Sequence, residues 1–529
     1  MLVAVATNFP ARATDLPDDE ELENSGAVVG EIVIQSANVF DPQEEGEDRK
    51  VFRFVNRLHR RTRDRVTRGL LLFEPGDPYL RRTLDESART LREANYFYDA
   101  NVRPIRYEDG RVDVLVETRD VWSLRPGIGF GRAGGENSFH FGLTDENMLG
   151  LGKSLTFKHK SNVDRTESLV RYRDPNLAGR RMVLELEHSN NSDGRLRALK
   201  LVRPFFSLDS RWATGFRARS DDRIDSLYSL GEVTNRFTHE EDFVELFGGF
   251  SRGLAQGRAR RWTVGATLER DRFGAEPGFA GPQFAPPNRD LVYPWIGLEV
   301  VHDRFFVVRD LDHIARIEDR NLGRHYSVRL GLAAPAFGAD RSRAILRVEH
   351  GFGLSPGEGQ WIFFNSHASG RFGSSKSENV LVGGDLRYYA RNWGEHVLFA
   401  AMRFDLAIDL DPENQLLLGG DSGLRGYPLR YQAGTRRYLL TLEQRWYTRW
   451  HPFKLFRVGA AAFVDVGRAW FPESGRNQFD ELRNVGVGLR LGSSRTSTGS
   501  LVHVDLAMPL DGDDSISRVQ LFISSRESF

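Results

Sequence analysis

The spacing of hydrophobic residues divides the 529-residue chain into a short amino-terminal region of mixed periodicity and a long region of period two. From residue 121 onward, apolar and charged residues alternate in segment after segment. In "HVLFAAMRFDLAIDL", Leu398, Ala400 and Met402 share one face, and Arg403 and Asp405 share the other. Alternation of this kind predicts a β-strand with one apolar and one polar face. The pattern recurs in "RRMVLELEHS", "RRYLLTLEQRWYT" and "LVHVDLAMPL".

The length of this region favours a closed barrel over a soluble β-sandwich. A sandwich of that length would split into several domains, yet no linker-like stretch interrupts residues 121–529. Closure removes the sheet edges, and lipid can cover an apolar outer face. We therefore predict a mainly β protein with one transmembrane antiparallel β-barrel. About twenty alternating segments can be marked, some of them expected to be hairpin extensions, and an even strand number is expected.

Residues 30–120 predict a small α+β domain of order β-α-α-β-β. "EIVIQSANVF" is expected to form its first strand, and "YFYDANVRPIRY" with "RVDVLVETRD" a hairpin. One helix is predicted over residues 51–72, with apolar residues at helical spacing: Phe54, Leu58, Val66 and Leu70. A second helix is predicted after the turn "EPGDP", with the apolar stripe Leu80, Leu84, Ala88 and Leu91.

Residues 1–29 predict a disordered lead-in or the remnant of a signal peptide. "TDLPDDEELENSG" is acidic and poor in core-forming residues. "MLVAVATNFPARA" lacks a basic start and has only a short apolar run, so it is either the tail of a truncated signal or an unstructured start.

Composition narrows the classes of function. Lys+Arg and Asp+Glu number 73 each, so no net charge favours a nucleic-acid partner. Cysteine is absent, which excludes disulfides, thiolate metal sites and cysteine nucleophiles. No stretch of 18 apolar residues is present, which excludes transmembrane helices.

Several short motifs suggest chemistry that their surroundings do not support. In "GGDSGLRGYP", Ser422 lies in the Gly-Asp-Ser-Gly context of chymotrypsin-like proteases, but no His has the matching small-residue context and the flanking strands are barrel-like. "GFGRAG" and "NMLGLGKS" resemble nucleotide-binding loops without the required helix or glycine, so turns are predicted. The 13 His residues show no metal spacing. We predict no catalytic residue, metal or cofactor.

The basic run "RLHRRTRDRVTR" lies on the first predicted helix. It would attract anionic lipid or an acidic client, or it forms a solvated helix face. The sequence leaves these alternatives open.

Arg425 lies in a glycine-rich connection between two strong strands. If this connection folds into a barrel lumen, the guanidinium must meet carboxylates, because an unpaired buried charge is unfavourable. The strands that follow offer Glu443 and Asp465 on their polar faces.

"GGDSGLRGYP" resembles the lumen-loop motif Val-Arg-Gly-Phe/Tyr of the BamA/TamA/FhaC superfamily of outer-membrane protein-translocating β-barrels, with Leu424 in place of the usual Val. "FVDVG", residues 463 to 467, matches that family's Phe-x-Asp-x-Gly motif, and "NVGVGLRL" and "LVHVDLAMPL" are similar to its next two strands. The resemblance covers residues 30–529. It implies a barrel of sixteen strands at residues 121–529, and a single polypeptide-transport-associated (POTRA) domain at residues 30–120.

The resemblance also implies two groups of site residues. Arg425 would reach into the lumen and pair with Asp465, with Glu443 as a further partner, while Gly426 allows a tight turn and Tyr427 packs against the wall. This lumen loop, residues 419–430, would be anchored by Arg425, Gly426, Tyr427, Glu443, Phe463, Asp465 and Gly467. The first and last barrel strands would meet at a weak seam formed by Gly127, Gly129, Gly131, Leu521, Ile523 and Phe529.

By the same resemblance, the chain is expected to be a non-enzymatic assembly factor or translocase of the bacterial outer membrane. A periplasmic POTRA domain would capture unfolded outer-membrane or secreted polypeptides, and the barrel, surrounded by the lipid bilayer, would insert or secrete them. The alternative is a passive outer-membrane channel plugged by its own loop. An enzymatic function would require a fused hydrolase domain, and none precedes Gly30 in this sequence.

Overall fold

The computed structural model of the chain describes residues 16–281, 284–472, 480–496, 501–513 and 516–526. The chain divides into two compact units. Unit 1 comprises Met1–Ser123 with Asn147–Gly152 and Arg495–Ser497, and unit 2 comprises Leu124–Glu146, Lys153–Ser494 and Thr498–Phe529. The boundary after Ser123 falls close to residue 120, where the sequence places the end of the amino-terminal domain.

Unit 1 is a small sheet covered by helices. Its described helices are α1 Asp19–Asn24, α2 Lys50–Leu58, α3 Asp64–Leu70 and α4 Arg81–Glu93, and its strands are β1 Val28–Ala37, β2 Phe97–Glu108 and β3 Arg111–Asp120. Strand β3 is central, parallel to β1 and antiparallel to β2. Val112, Val114 and Val116 of β3 pack against Leu84 and Leu91 of α4 in one hydrophobic core.

The predicted helix at residues 51–72 is wrong, because the chain breaks it between α2 and α3. The buried carboxylate of Asp120 explains the break. Its Oδ2 atom accepts a hydrogen bond from the backbone N–H of Thr62 at 2.7 Å and lies 2.9 Å from Nε2 of His59. A backbone amide held by a side chain in this way is withdrawn from the helical ladder. Phe54 and Leu58 are consequently exposed rather than on a buried stripe.

The described part of residues 1–29 is not an unstructured lead-in. Helix α1 starts after Asp18, whose Oδ1 atom accepts a hydrogen bond from the backbone N–H of Glu21 at 2.8 Å. An aspartate in this position caps a helix, since it satisfies an amide that has no partner within the helix. The Leu22 side chain is buried in the core of unit 1. Residues 1–15 lie outside the described residues.

Unit 2 is a closed barrel of twenty strands. The barrel strands are β4 Leu124–Ala133, β5 Glu136–Asp145, β6 Ser154–Ser161, β7 Thr166–Leu177, β8 Met182–Asn191, β9 Gly194–Arg203, β10 Trp212–Ser229, β11 Glu232–Ala255, β12 Arg258–Ala275, β13 Arg289–His302, β16 His325–Ala333, β17 Arg343–Gly357, β18 Gln360–Phe372, β19 Ser377–Arg391, β20 His396–Ile408, β23 Arg436–Tyr447, β24 Phe456–Trp470, β25 Leu482–Ser493, β26 Leu501–Pro509 and β27 Gln520–Arg526. Two further hairpins lie in its connections, β14 Phe305–Arg309 with β15 Ile317–Asn321, and β21 Leu416–Leu418 with β22 Gln432–Gly434.

The twenty strands confirm a mainly β fold with an antiparallel barrel, and they show that the number sixteen implied by the resemblance is wrong. The number of wall strands therefore agrees with the count of alternating segments in the sequence. Strand β11 is 24 residues long, although about 9–11 residues suffice for a tilted strand to cross a bilayer. Part of this strand therefore extends past the length that a crossing requires.

The two faces of the wall follow the alternation in the sequence. On β23, the side chains of Leu440, Leu442 and Trp446 are 40–50% exposed on the outer face, whereas Glu443 and Arg445 on the inner face are buried. The wall is therefore apolar outside and charged inside. No helix among the described residues has the length and apolar character needed to cross a membrane.

Two long connections lie at opposite ends of the barrel. We call the end where β4 begins the near end and the opposite end the far end. Residues 409–435, between β20 and β23, form the far-end loop. Residues 303–324, between β13 and β16, form the near-end hairpin and contain β14 and β15.

The core of unit 1 can be tested at Leu84, which is fully buried on α4. Leu84→Ala is expected to destabilise unit 1 by about 2–5 kcal/mol, since it removes a buried side chain and leaves a cavity. Hydrogen exchange of peptides from β3 would measure the loss of protection. Leu80→Ala, at an exposed position just before the same helix, is the control, and equal effects of the two changes would contradict the assigned core.

Candidate functional site in the barrel lumen

The far-end loop packs within unit 2 around an apolar cluster of its own. Strands β21 and β22 pair within the loop, from Leu416–Gly434 to Leu418–Gln432. The buried cluster combines loop residues with residues at the barrel wall: Leu418, Leu424, Tyr427, Tyr431, Ala469 and Leu482. Burial of these side chains holds the loop in one conformation and places Arg425 among the lumen-facing carboxylates.

Arg425 is buried and bound to carboxylates from three strands. Its Nε and Nη2 atoms each donate to Asp465 of β24 at 2.9 Å, which makes the pair bidentate. Its Nη1 atom donates to Glu443 of β23 at 3.1 Å and to Asp505 of β26 at 3.0 Å. The guanidinium carbon lies 3.3 Å from the centre of the Phe463 ring. Bidentate pairing fixes the orientation of the guanidinium as well as its position.

Two further arginines balance the charge of this cluster. Arg445 donates from Nε to Glu443 at 3.0 Å, and Nη2 of Arg490 lies 3.1 Å from the same carboxylate. Arg490 also pairs with Asp505. Arg425, Arg445 and Arg490 thus face Glu443, Asp465 and Asp505, three positive groups against three negative ones. We call these six residues the lumen charge cluster. Such balance is what allows ionised groups to remain buried.

Neutral side chains complete the environment of Asp465. Thr441 donates to its Oδ1 atom at 2.9 Å, and Asn484 donates to its Oδ2 atom at 2.9 Å. The carboxylate therefore accepts hydrogen bonds on both oxygens from the wall as well as from the loop. These contacts fix the orientation of the carboxylate that Arg425 binds.

Sequence reasoning found Arg425, Asp465 and Glu443 but missed the other members of the cluster. Asp505 and Arg445 were visible only as polar positions in alternating strands, and Arg490 carried no signal of its own. Strand alternation alone could have shown that all three face the lumen. It could not show that they share one level of the barrel, since this depends on the registers of β23 through β26.

Gly426 lies in a tight turn, as the resemblance implied, since the backbone N–H of Tyr427 donates to the backbone oxygen of Leu424 at 3.1 Å, and it also allows close approach to the wall. Its φ is not in the left-handed region, whereas that of Gly423 is, at +117°. A Cβ atom at Gly426 would lie 2.8 Å from the Cβ atom of Asn484, which is too close for a side chain. Gly467 has the same role on β24, where a Cβ atom would lie 2.8 Å from the backbone oxygen of Tyr438.

Tyr427 contacts the wall through its hydroxyl group as well as its ring. The ring is fully buried, and the hydroxyl donates to the backbone oxygen of Arg483 at 2.7 Å and accepts from the backbone N–H of the same residue at 3.1 Å. This exchange ties the loop to the first residues of β25.

Ion pairs also tie both ends of the far-end loop. Arg289 of β13 pairs with Asp411 at 3.1 Å and with Glu413 at 2.9 Å. Near the other end, Arg430 makes a bidentate pair with Asp164 in the connection between β6 and β7, at 2.7 and 2.6 Å. Burial by itself would raise the pKa of the Asp164 carboxyl, but the hydrogen bonds and charge of Arg430, together with the Tyr228 hydroxyl and the charge of Arg165, outweigh it and lower the pKa.

The other short motifs of the sequence form ordinary strands, turns, hydrogen bonds and ion pairs. The hydroxyl of Ser422 donates to the backbone oxygen of Gly419 at 3.3 Å. "GFGRAG" forms the end of β4 and the start of its turn, and Lys153 of "NMLGLGKS" pairs with Asp174 at 3.0 Å. Within the described residues, no group of three or more His, Asp or Glu side chains is placed to hold a metal ion.

The seam between β4 and β27 is much shorter than the neighbouring ladders. Among the described residues the two strands share a single residue pair, Ile523 with Arg132. The β26–β27 ladder, by contrast, runs from Leu501–Arg526 to Ala507–Gln520. A Cβ atom at Gly131 would lie 3.3 Å from the backbone oxygen of Ile523, so glycine lets the strands approach.

The other described residues that were predicted for the seam contact β5 or β26. A Cβ atom at Gly129 would overlap the ring of His140 on β5, and Gly127 lies opposite Gly142 of that strand. Leu521 pairs with Leu506 of β26. Phe529 lies outside the described residues.

The lumen charge cluster makes a direct prediction. Arg425→Gln and Asp465→Asn are each expected to destabilise the docked loop by about 3–5 kcal/mol, because each leaves buried charge without its partner. The double variant should destabilise the docked loop by less than the sum of the two single effects, because the two groups bind each other. Hydrogen exchange of amides in residues 416–434 would measure these effects. Arg436→Gln, at an exposed position on β23, is the control, and additive effects would contradict the pairing.

No protein-family model matches the sequence, and a search of curated proteins finds no match. Solved structures similar to the chain include BamA from Haemophilus ducreyi lacking POTRA domains 1–3, with 12% identity over 93% of this chain and 84% of that chain and a TM-score of 0.39. CdiB from Acinetobacter baumannii is 13% identical over 94% of this chain and 74% of that chain, with a TM-score of 0.45. CdiB from Escherichia coli is 14% identical over 93% of this chain and 75% of that chain, with a TM-score of 0.44. At these values, none of the three decides what this chain does.

Proposed function

We propose that the chain is a polypeptide insertase or translocase of the bacterial outer membrane and a member of the BamA/TamA/FhaC superfamily. In this proposal the barrel lies in the lipid bilayer, unit 1 is a POTRA domain in the periplasm, and the clients are unfolded polypeptides. The proposal assigns no bond-making chemistry to the chain. The short β4–β27 seam is the observation that carries it.

The outer face of the barrel supports a membrane location. Exposed apolar side chains recur along the wall, for example Leu246 and Phe250 on β11, Leu330 on β16 and Val487 on β25. In water such a surface would promote association, whereas lipid tails accommodate it. Away from the β4–β27 seam, the backbone groups of neighbouring wall strands pair in ladders, as a hydrocarbon environment requires.

The seam supports a role in insertion because it offers strand edges to a client. Beyond the pair of Ile523 with Arg132, the described parts of β4 and β27 do not pair with each other. An unpaired edge can template a new strand, since backbone hydrogen bonds give affinity with little demand on sequence. Over the described parts of β4 and β27, opening the seam would break one residue pair, whereas opening elsewhere in the wall would break a long ladder.

Unit 1 offers a second edge, suited to client capture. The start of β1 is covered, because the backbone of Val29 exchanges hydrogen bonds with Gly76 and Asp77, and Val28 bridges to Pro78. Strand β2 is the other edge of the sheet. Pro104 interrupts it and cannot donate a backbone hydrogen bond, so the part before Pro104 is the segment to which an extended client would add.

A passive channel plugged by its own loop is the second candidate, favoured by the buried far-end loop. The two functions differ at the seam. A plugged channel conducts ions without using β4 and β27 as a template, whereas an insertase needs those strands to separate.

A disulfide across the seam separates the two functions. The chain has no cysteine, so Arg132→Cys with Ile523→Cys, at directly opposed positions, adds the only thiols. With the full chain in vesicles, oxidation is expected to abolish conversion of a urea-denatured β-barrel client to a protease-resistant form, and reductant should restore it.

The matched control is Leu489→Cys with Val504→Cys, an opposed pair within the continuous β25–β26 ladder. Its oxidation should leave client insertion unchanged. Insertion that survives the seam disulfide would contradict templating at the seam, and a barrel that conducts ions but never acts on a client would favour the passive channel.

A further inference from the structure

The near-end hairpin folds onto the inner face of the barrel wall. Val308, Leu311 and Ile314 of the hairpin join a buried cluster with residues of four wall strands: Tyr389, Val397, Phe399, Tyr447 and Leu501. Leu311 and Phe399 are fully buried. The hairpin therefore does more than connect β13 with β16, because its apolar side chains are buried against the opposite part of the wall.

The conformation of the hairpin is held by its own side chains. Glu318 accepts hydrogen bonds at Oε1 from three consecutive backbone amides, those of Leu311, Asp312 and His313, at 2.9, 3.0 and 3.2 Å. Its other oxygen accepts from Arg320 at 2.7 Å. Because these bonds are internal, the tip of the hairpin can leave the wall without losing its shape.

Polar contacts at the tip reach the lumen charge cluster. The Nη1 atom of Arg445 donates to the backbone oxygen of Leu311 at 3.1 Å and lies 3.8 Å from Oδ1 of Asp312. The hydroxyl of Tyr389 donates to the same Oδ1 atom at 2.8 Å. Arg445 also donates to Glu443, which binds Arg425 of the far-end loop. A continuous chain of buried charges therefore joins connections from opposite ends of the barrel.

We propose that the near-end hairpin is a gate: a segment of this chain that occupies a docking site on the lumen wall formed by Tyr389, Phe399, Arg445 and Tyr447, and whose release is coupled to the far-end loop through Glu443. Release of the hairpin opens the near end of the lumen. Loss of the Arg425 contact leaves the Glu443 carboxylate to Arg445 and Arg490, which alters how Arg445 is shared with Asp312. The proposal rests on the proposed function in one respect, that the lumen serves as a path.

A disulfide between hairpin and wall tests the gate. A Cβ atom built at Gly492 of β25 lies 3.7 Å from the Cβ atom of Ile314, within the range of about 3.5–4.5 Å found in disulfides. The full-length variant Ile314→Cys with Gly492→Cys would be reconstituted in lipid bilayers and its single-channel currents recorded without any client. Oxidation is expected to abolish opening events, and reductant should restore them.

Leu489→Cys on β25 with Val504→Cys on β26 is the control and should leave the current unchanged when oxidised. A Gly492 disulfide that forms without affecting the current overturns the gate. Failure of the two thiols to join under oxidation overturns the docking itself. Because no client is present, neither result depends on whether the chain inserts polypeptides.

Charge substitutions test the coupling. Asp312→Asn removes the carboxylate facing Arg445 and Arg320, and it should make openings more frequent, whereas Asp303→Asn, in the same hairpin but outside these contacts, should not. Arg425→Gln should also increase opening, and the double variant with Asp312→Asn should increase it by less than the product of the two single effects. Independent effects would overturn the coupling, and unchanged opening in Asp312→Asn would overturn the docking contact.

Discussion

A buried arginine inside the barrel is the constraint on which much of the structure depends. Arg425 can be buried because three carboxylates neutralise three arginines. Glu443, Asp465 and Asp505 pair with Arg425, and Glu443 and Asp505 also pair with the two other arginines of the cluster. The three carboxylates come from three strands, so they meet only in one combination of registers. A shift of one residue in any of these ladders would turn a carboxylate toward the outer face. The loop can therefore dock only when the wall strands have this register. In turn, the contacts of Arg425 with the three carboxylates stabilise that register.

The wall and the lumen are stabilised by different forces. On the outer face, apolar side chains alternate with inward charged ones, and burial in lipid would satisfy them without specific partners. Inside, directional ion pairs and hydrogen bonds are added to buried apolar clusters, and the far-end loop and the near-end hairpin meet the same charge cluster through Arg425 and Arg445. The seam contrasts with this interior, since among the described residues only Ile523 and Arg132 pair across it. The seam is therefore the part of the wall where separating two strands breaks the fewest described residue pairs.

The sequence was informative where structure follows from local pattern. Alternation predicted the strands and their inner and outer faces. The charge argument offered Asp465 and Glu443 as complementary groups, and the resemblance implied that Arg425 pairs with them. The local pattern failed where a distant group intervened. The helix predicted over residues 51–72 ends early because Asp120, far along the chain, binds Thr62 and lies against His59. Sixteen strands were inferred from resemblance, whereas the alternation itself had marked about twenty segments and was the better guide.

By itself the sequence determined which side chains face outward and which face the lumen, because strand periodicity is set by neighbouring residues. Only the tertiary structure decided which lumen charges meet. Arg425 and Asp505 are separated by 80 residues, and Arg445 and Leu311 by 134. Their contacts depend on the number of strands, the ladder registers and the closure of the barrel. Those are properties of the whole sheet, which no local pattern encodes.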